Sequence, residues 1–214
     1  TQYFWPENIR INDVALYLKK KNHEIKVLTN NPCYPDKFFF LNYYLNKKKF
    51  KKIKGIEIFR IPSINRGKSN IFILLNYINF FLNSFIFGIN RFVNKKIDLV
   101  FIFCPSPILS ALPAIILKKI FKKKAAIWVL DLWPDTLVDL NIVRNKTLIK
   151  ILKYLVKFIY NNCDLILVQS KSFKTEISKI TKSKCIYFPS WAEENIGNNI
   201  TKHAKEISLT EKKL

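Results

Sequence analysis

The sequence predicts an α/β protein built on a doubly wound parallel sheet. Three observations lead there. Short β-branched runs alternate with longer helical patterns along the chain. The runs are nearly continuous in apolar residues (DLVFIF, AIWVLD, DLILVQ), as strands covered on both faces must be. Each interval between the later runs holds a helix-length segment, which makes the connections right-handed βαβ crossovers.

The elements follow in order. Residues 1–4 (TQYF) read as the last turn of a first strand whose beginning lies upstream, and the absence of any Met puts the natural start there too. A helix over 9–22 comes next. Asn22 is expected to close it as a left-handed residue, a position where Asn substitutes for Gly. His23 then falls in the turn into a strand, on the face opposite the ligand end, as a packing residue. Strands are expected at Glu24–Thr29, Ile56–Ile61, Asp98–Phe103, Ala126–Asp131, Asp164–Gln169 and Lys184–Phe188. Helices fill 70–94, 107–123, 146–162 and 171–180. Ile71–Ile89 carries no charge and approaches a membrane-spanning length. It contains Asn76, Asn79 and Asn83, however, and lies between two strands. A helix packed on the sheet is therefore expected, with one apolar face free to meet lipid.

Composition narrows the class. Of 214 residues, 49% are hydrophobic and 24% charged, which excludes disordered, collagen-like and coiled-coil chains. Cysteines 33, 104, 163 and 185 include no C-x-x-C pair, so neither a disulfide scaffold nor a zinc site is expected, and free thiols suit a reducing compartment. The net charge is +22, but residues 1–107 carry +12 and 108–214 carry +10, so there is no basic tail. Lys outnumbers Arg 32 to 5, although Arg is the better residue for forked phosphate or base contacts. Nucleic-acid binding would rest on charge alone and is not expected. Lys47, Lys48, Lys49, Lys51, Lys52 and Lys54 form a polybasic run with apolar residues interleaved, and each Lys near an anionic leaflet contributes about 1 kcal/mol.

Several motifs are excluded. With glycines only at 55, 67, 88 and 197, no G-x-G-x-x-G dinucleotide loop exists. Gly67-Lys68-Ser69 sits between a strand and a helix, but the first glycine of a phosphate loop would fall at Pro62. There is no G-x-S-x-G elbow. Cys104, at a strand end with no histidine expected nearby, reads as a buried thiol.

Ligands of open α/β sheets bind outside the carboxyl ends of the strands. There the chain places Trp5-Pro6-Glu7-Asn8, Cys104-Pro105-Ser106-Pro107, Asp131–Asp135 and Pro189-Ser190-Trp191. Asp131 ends a buried strand, where a carboxylate must be paired or bind something. It either accepts a hydrogen bond from a sugar hydroxyl or caps the next turn. Trp5, Trp133 and Trp191 either stack on a ligand or wedge their loops against the core.

QYFWPENIRINDVALYLKKKNHEIKVLTNNPCYP, CPSPILSALPAIILKK, WVLDLWPDTL, CDLILVQSKSF and IYFPSWAEE, in that order, resemble family 4 glycosyltransferases. The branch is the one that acts on lipid-linked saccharides of bacterial surface polysaccharides (O-antigen and capsule type), and it includes N-acetylfucosaminyltransferases. The resemblance implies the GT-B architecture of two Rossmann-like domains. Residues 1–195 would be the N-terminal, acceptor-binding domain, and 196–214 a linker or the start of the C-terminal domain that holds the nucleotide sugar. The family's glutamate pair spaced by seven does not occur here, so the chain alone is expected to be incomplete and inactive.

Carried over by position, Glu7, Asn8 and Arg10 match the first loop, Ser106 and Pro107 the loop after the fourth strand, and Asp131, Trp133, Pro134 and Asp135 the next. Asp131 and Glu7 are the implied catalytic carboxylates, orienting the acceptor; the others bind it. Leu130 departs from the polar residue common in relatives. The implied reaction moves a sugar from a nucleotide sugar to an isoprenoid-diphosphate-linked saccharide at the cytoplasmic face of the plasma membrane. It uses no cofactor or metal, and the lysine-rich surface and the 70–94 helix hold the domain peripherally on anionic lipid. The alternative is a non-catalytic acceptor-binding and membrane-docking subunit, or a remnant, of a split transferase whose C-terminal half is a separate chain.

Overall fold

The computed structural model describes residues 1–34, 37–64 and 70–191. Gly67-Lys68-Ser69 and the expected linker at 196–214 lie outside the described residues.

The described elements are α1 (Ile11–Lys20), β1 (Lys26–Asn30), α2 (Leu41–Leu45), β2 (Lys52–Ile53), β3 (Ile56–Ile61), α3 (Asn70–Phe92), β4 (Leu99–Cys104), α4 (Leu112–Phe121), β5 (Lys124–Val129), α5 (Asp135–Asp139), α6 (Lys146–Asn161), β6 (Leu165–Val168), α7 (Lys171–Ile180) and β7 (Lys184–Tyr187). Single 3₁₀ turns precede α2, follow it and precede α4.

The strands form two sheets where the sequence suggested one. The larger, β4-β5-β6-β7, is parallel throughout. The smaller has the order β1-β3-β2, with β1 and β3 parallel and β2 antiparallel to β3. β2 is a two-residue strand among lysines with no apolar alternation to announce it. Its hairpin turns on Lys54 and Gly55, at φ 44° and 81°, the left-handed pair such a tight turn requires. Residues 1–4 run along β1: the Thr1 amino group bonds Leu28 O (3.2 Å), and Asn30 N bonds Gln2 O (3.3 Å). Phe4, fully buried, packs with Val27, Ile56 and Ile58 of the small sheet and with Phe103 and Trp128 of the large one.

Alternation within the large sheet covers both of its faces. Ile102, Ala125, Ile127, Val129, Ile166 and Val168 meet Ile115 of α4, Val156 and Ile159 of α6 and Ile177 of α7. Phe103 and Trp128 turn the other way, toward Ile11 and Ala15 of α1. Side chains alternate with a period of two along a strand, so a continuously apolar run serves both layers. α6 begins where the Asn145 side chain accepts Leu148 N–H (3.0 Å), and α7 where Ser170 accepts Phe173 N–H (3.2 Å). Such caps satisfy otherwise orphaned donors.

α1 closes as expected. Asn22 has φ 66°, Asn22 N bonds Lys19 O, and His23 N bonds Leu18 O, the paired bonds of a left-handed helix stop. His23 itself is exposed, which corrects its expected packing role: the turn lifts the ring into solvent.

α3 packs on the sheet side as expected. Asn76 is fully buried; it accepts from Gln2 Nε2 (2.8 Å) and donates to Ile64 O (2.5 Å). Asn79 accepts Ile64 N–H and Asn83 donates to Pro62 O. The three amides thus bind the β3–α3 connection. Phe72, Leu75, Ile78, Leu82 and Ile86 form an exposed stripe on the opposite side. No described helix is long and apolar enough to cross a membrane.

Candidate functional site

In the parallel sheets the carboxyl ends of the strands gather the loops of interest. β4 runs into Pro105-Ser106-Pro107, and β5 ends at Val129, two residues before Asp131. The expected strand to Asp131 is therefore too long; the carboxylate stands in the loop and is half-buried. The Trp5–Pro6, Ser106–Pro107 and Trp133–Pro134 bonds are cis.

Asp131 sits in a short hydrogen-bonded chain of side chains. Its Oδ1 accepts from Thr136 Oγ1 (2.6 Å), and its Oδ2 from Trp133 Nε1 (3.1 Å). The same indole N–H reaches Ser106 Oγ at 3.1 Å, so one donor bridges the loops after β4 and β5. Thr136 Oγ1 also lies 2.7 Å from Leu132 O. The side chain does not cap α5, which has no side-chain cap bond; its partners are the Trp133 and Thr136 side chains. A carboxylate has about four lone-pair positions, so two internal bonds leave acceptor capacity on a half-exposed group. Ser106 Oγ, also half-buried, can donate or accept.

Glu7 belongs to a second network. It is 1% exposed. Its Oε2 accepts Phe4 N–H (3.1 Å), and its Oε1 accepts Cys33 N–H (3.0 Å) and Tyr34 N–H (2.9 Å). Burial pushes the carboxyl above its ordinary value, against the pull of those three N–H groups and of the nearby Arg60 charge. The Glu7 carbonyl accepts Asn12 Nδ2 (2.6 Å), and Asn12 Oδ1 accepts Trp5 N–H. The carboxylate read from the sequence as orienting an acceptor therefore pins the first loop to the loop after β1.

Around it lie residues that the sequence did not single out. Arg60, at the end of β3, donates to Asn30 O (2.5 Å) and to Trp5 O. Its guanidinium stacks over Tyr43 at 5.3 Å, and burial lowers its pKa. The Tyr44 hydroxyl donates to Pro32 O (2.9 Å) and is pushed up to about 12 by burial. The only advance signal was an arginine, in a chain that has five, next to the last residue of a strand that leads into a proline.

The remaining candidates divide by exposure. Asn8 and Asp135 are exposed; Arg10 is half-buried, 3.9 Å from Asp13. Pro107 and Pro134 are buried and shape their loops from beneath. All six lysines of the 47–54 run are exposed. The tryptophans pack rather than stand free. Trp5 lies 4.8 Å from Phe50, Trp191 stacks on Trp128 at 5.9 Å and bonds Asp13, and Trp133 packs against the core of the large sheet. Cys104 is a buried thiol, pushed up to about 12 by burial. A cavity of about 110 Å³ lined by Phe4, Ile11, Ala15, Val27, Phe101 and other residues lies under α1. It is apolar, holds none of the candidate residues, and is a packing gap at the seam of the sheets.

Ser106, Asp131 and Trp133 are thus joined directly, with Thr136 added to them, whereas Glu7 serves a separate network. Comparison with protein-family models and with curated proteins returns no match.

Proposed function

We propose that the chain is the acceptor-binding, Rossmann-like N-terminal domain of a GT-B glycosyltransferase. The reaction moves a sugar from a nucleotide sugar to an isoprenoid-diphosphate-linked saccharide. The observation that carries this reading is the Ser106–Trp133–Asp131–Thr136 chain of hydrogen bonds at the carboxyl ends of adjacent parallel strands, where open α/β sheets bind ligands. A fixed carboxylate with spare lone pairs beside a serine hydroxyl is suited to holding a sugar hydroxyl. As the new glycosidic bond forms, the bond from the anomeric carbon to the nucleotide diphosphate breaks, and the hydroxyl proton passes to the departing diphosphate. Asp131 orients the hydroxyl for this step. A second domain holds the donor, and basic side chains with a helix N-terminus stabilise the leaving diphosphate.

The place of work is the inner face of the plasma membrane, where the exposed lysines and the outer stripe of α3 meet anionic lipid. A second reading, a non-catalytic acceptor-binding subunit of a split transferase, is favoured by one observation. The two candidate carboxylates, Glu7 and Asp131, are each hydrogen-bonded within the fold, so what this chain supplies is positioning.

Binding of a short-chain isoprenyl-diphosphate saccharide to the 214-residue chain, followed by tryptophan fluorescence, tests both readings. Asp131→Ala is expected to weaken binding at least about tenfold, or about 1.4 kcal/mol, with an unchanged far-UV spectrum. Equal binding by the variant would remove Asp131 from the site. Absence of any binding by the unaltered chain would reject the acceptor-binding reading.

A further inference from the structure

Residues 37–50 leave the end of β1, turn through α2 and return at the edge of the small sheet. Their inner side is fixed at several points. The buried Tyr43 donates its hydroxyl to Asn31 Oδ1 (2.5 Å) and packs edge-on to Phe50 at 5.4 Å. Tyr44 bonds Pro32 O, and Phe50 meets Trp5.

The outer side carries large apolar side chains that are exposed to solvent. Phe38 is 66% exposed, Phe39 75%, Leu41 57% and Leu45 81%. Because the inner side is held, these four side chains form a fixed surface rather than a loose end waiting to pack. Four large apolar groups so close together cost free energy until something covers them.

The surrounding charge identifies the cover. Lys37, Lys47, Lys48, Lys49, Lys51 and Lys54 are exposed in and beside the segment; in the sequence Asp36 precedes it, and no further acidic residue occurs from 37 to 54. The nearest acidic group of the hairpin, Glu57, is paired with Lys52 at 3.6 Å. A second copy would set like charge against like charge, which disfavours a dimer through this face. Phe38 and Phe39 carry flat rings, but Leu41 and Leu45 make half of the tip aliphatic, and no Arg occurs from 37 to 54 to fork onto phosphates or bases. An apolar tip with lysines in and beside it is complementary to a bilayer with anionic headgroups: the tip enters the acyl boundary and the ammonium groups stay at the phosphates.

We propose that residues 37–54 form a docking wedge for an anionic lipid bilayer, in which Phe38, Phe39, Leu41 and Leu45 insert and the lysines engage headgroup phosphates. This deepens the membrane-surface reading above, which invoked the lysine run and α3, by assigning insertion to a different element.

The 214-residue chain is sedimented with vesicles of phosphatidylcholine alone and of phosphatidylcholine with phosphatidylglycerol. Binding to the anionic vesicles is expected, and the Phe38→Ser/Phe39→Ser variant is expected to lose at least about tenfold of that affinity with an unchanged thermal melt. In a Phe39→Trp variant, excited where the change over the parent chain can be read, a blue shift on adding anionic vesicles and quenching by brominated acyl chains report insertion. Anionic binding that survives the double serine change, with no blue shift in Phe39→Trp, would overturn the wedge and leave attachment to the lysines. No binding to either vesicle would overturn both. Lipid-free dimerisation abolished by the double change would assign the face to a second copy, and preferential capture by single-stranded RNA would assign it to nucleic acid; either overturns the proposal.

Discussion

Replacing Glu7 with glutamine separates a structural carboxylate from a catalytic one. In the native fold the two oxygens take three main-chain donors, Phe4, Cys33 and Tyr34, at 2.9–3.1 Å. An amide keeps one oxygen, which can still accept from Cys33 and Tyr34, while its NH₂ faces Phe4 N–H donor to donor. Hydrogen bonds to a charged acceptor contribute roughly 1.5–3 kcal/mol and neutral ones roughly 0.5–1.5, while a stranded buried donor costs about 1–3. Two weakened bonds and one stranded donor therefore amount to about 3–5 kcal/mol gross. Against this stands the cost of burying the charge, which the raised pKa reports. The net expectation is a loss of about 2 kcal/mol, and a larger loss for Glu7→Ala, which strands all three donors.

The pH dependence has a definite sign. A carboxyl held above its ordinary value of 4.5 binds its proton more tightly in the folded chain than in the unfolded one. Its stabilising contribution is complete below 4.5 and is lost as pH rises through the folded value. Glutamine does not titrate there, so the deficit of Glu7→Gln should be larger at a pH near 4.5 than at one above the folded value. Urea unfolding followed by circular dichroism, with the slope checked for constancy, measures both quantities. A variant within about 0.5 kcal/mol of the parent at both pH values, which is the range of an ordinary surface change, would refute the bonding argument. A deficit that grows with pH would refute the titration argument.

Two further outcomes test the packing. A Cβ on Gly88 would lie 2.3 Å from Leu117 Cδ1, so Gly88→Ala should lose about 1–2 kcal/mol through the α3–α4 contact, despite the roughly 1 kcal/mol that alanine gains in helix propensity. A second change, Leu117→Ala, should then cost less in that background than in the parent, and independent effects in the cycle would sink the contact. Asn22→Gly, at φ 66°, should raise stability by a few tenths to about 1 kcal/mol in thermal unfolding; a loss would mean that the Asn side chain contributes something the backbone argument omits.

Much of the fold was legible because the large sheet is buried on both faces. A run such as AIWV cannot be half-exposed, and Trp128 and Ile127 pack on opposite layers. The 37–50 segment was not legible, since FFFLNYYL has neither strand nor helix periodicity, and its turns are held by tertiary bonds from Tyr43 and Tyr44. At the site, position was readable and partnership was not. Glu7 and Asp131 look alike in sequence, each an acid beside a Trp-Pro pair at a strand end. Only the arrival of Cys33 and Tyr34 N–H groups from a loop 26 residues away distinguishes them.

That distinction ties the two ends of the argument together. The Glu7 network holds the first loop from one side, while Arg60 holds the same loop through Trp5 O and continues to Tyr43, the inner anchor of the 37–50 segment. Phe50 completes the contact by meeting both Tyr43 and Trp5. A wedge seated in lipid would therefore not hang on a flexible tether. Its inner face is built into the first loop, and Phe4, just before that loop, packs with Phe103 and Trp128 of the strands that lead to Ser106 and Asp131, so seating the tip would set the height of those strand ends above the bilayer. In the proposed transfer, an acceptor whose diphosphate lies at the headgroup level would have to present its sugar at a set distance from the membrane. The buried Glu7 carboxylate and Arg60 would serve that requirement by holding the loop rigid.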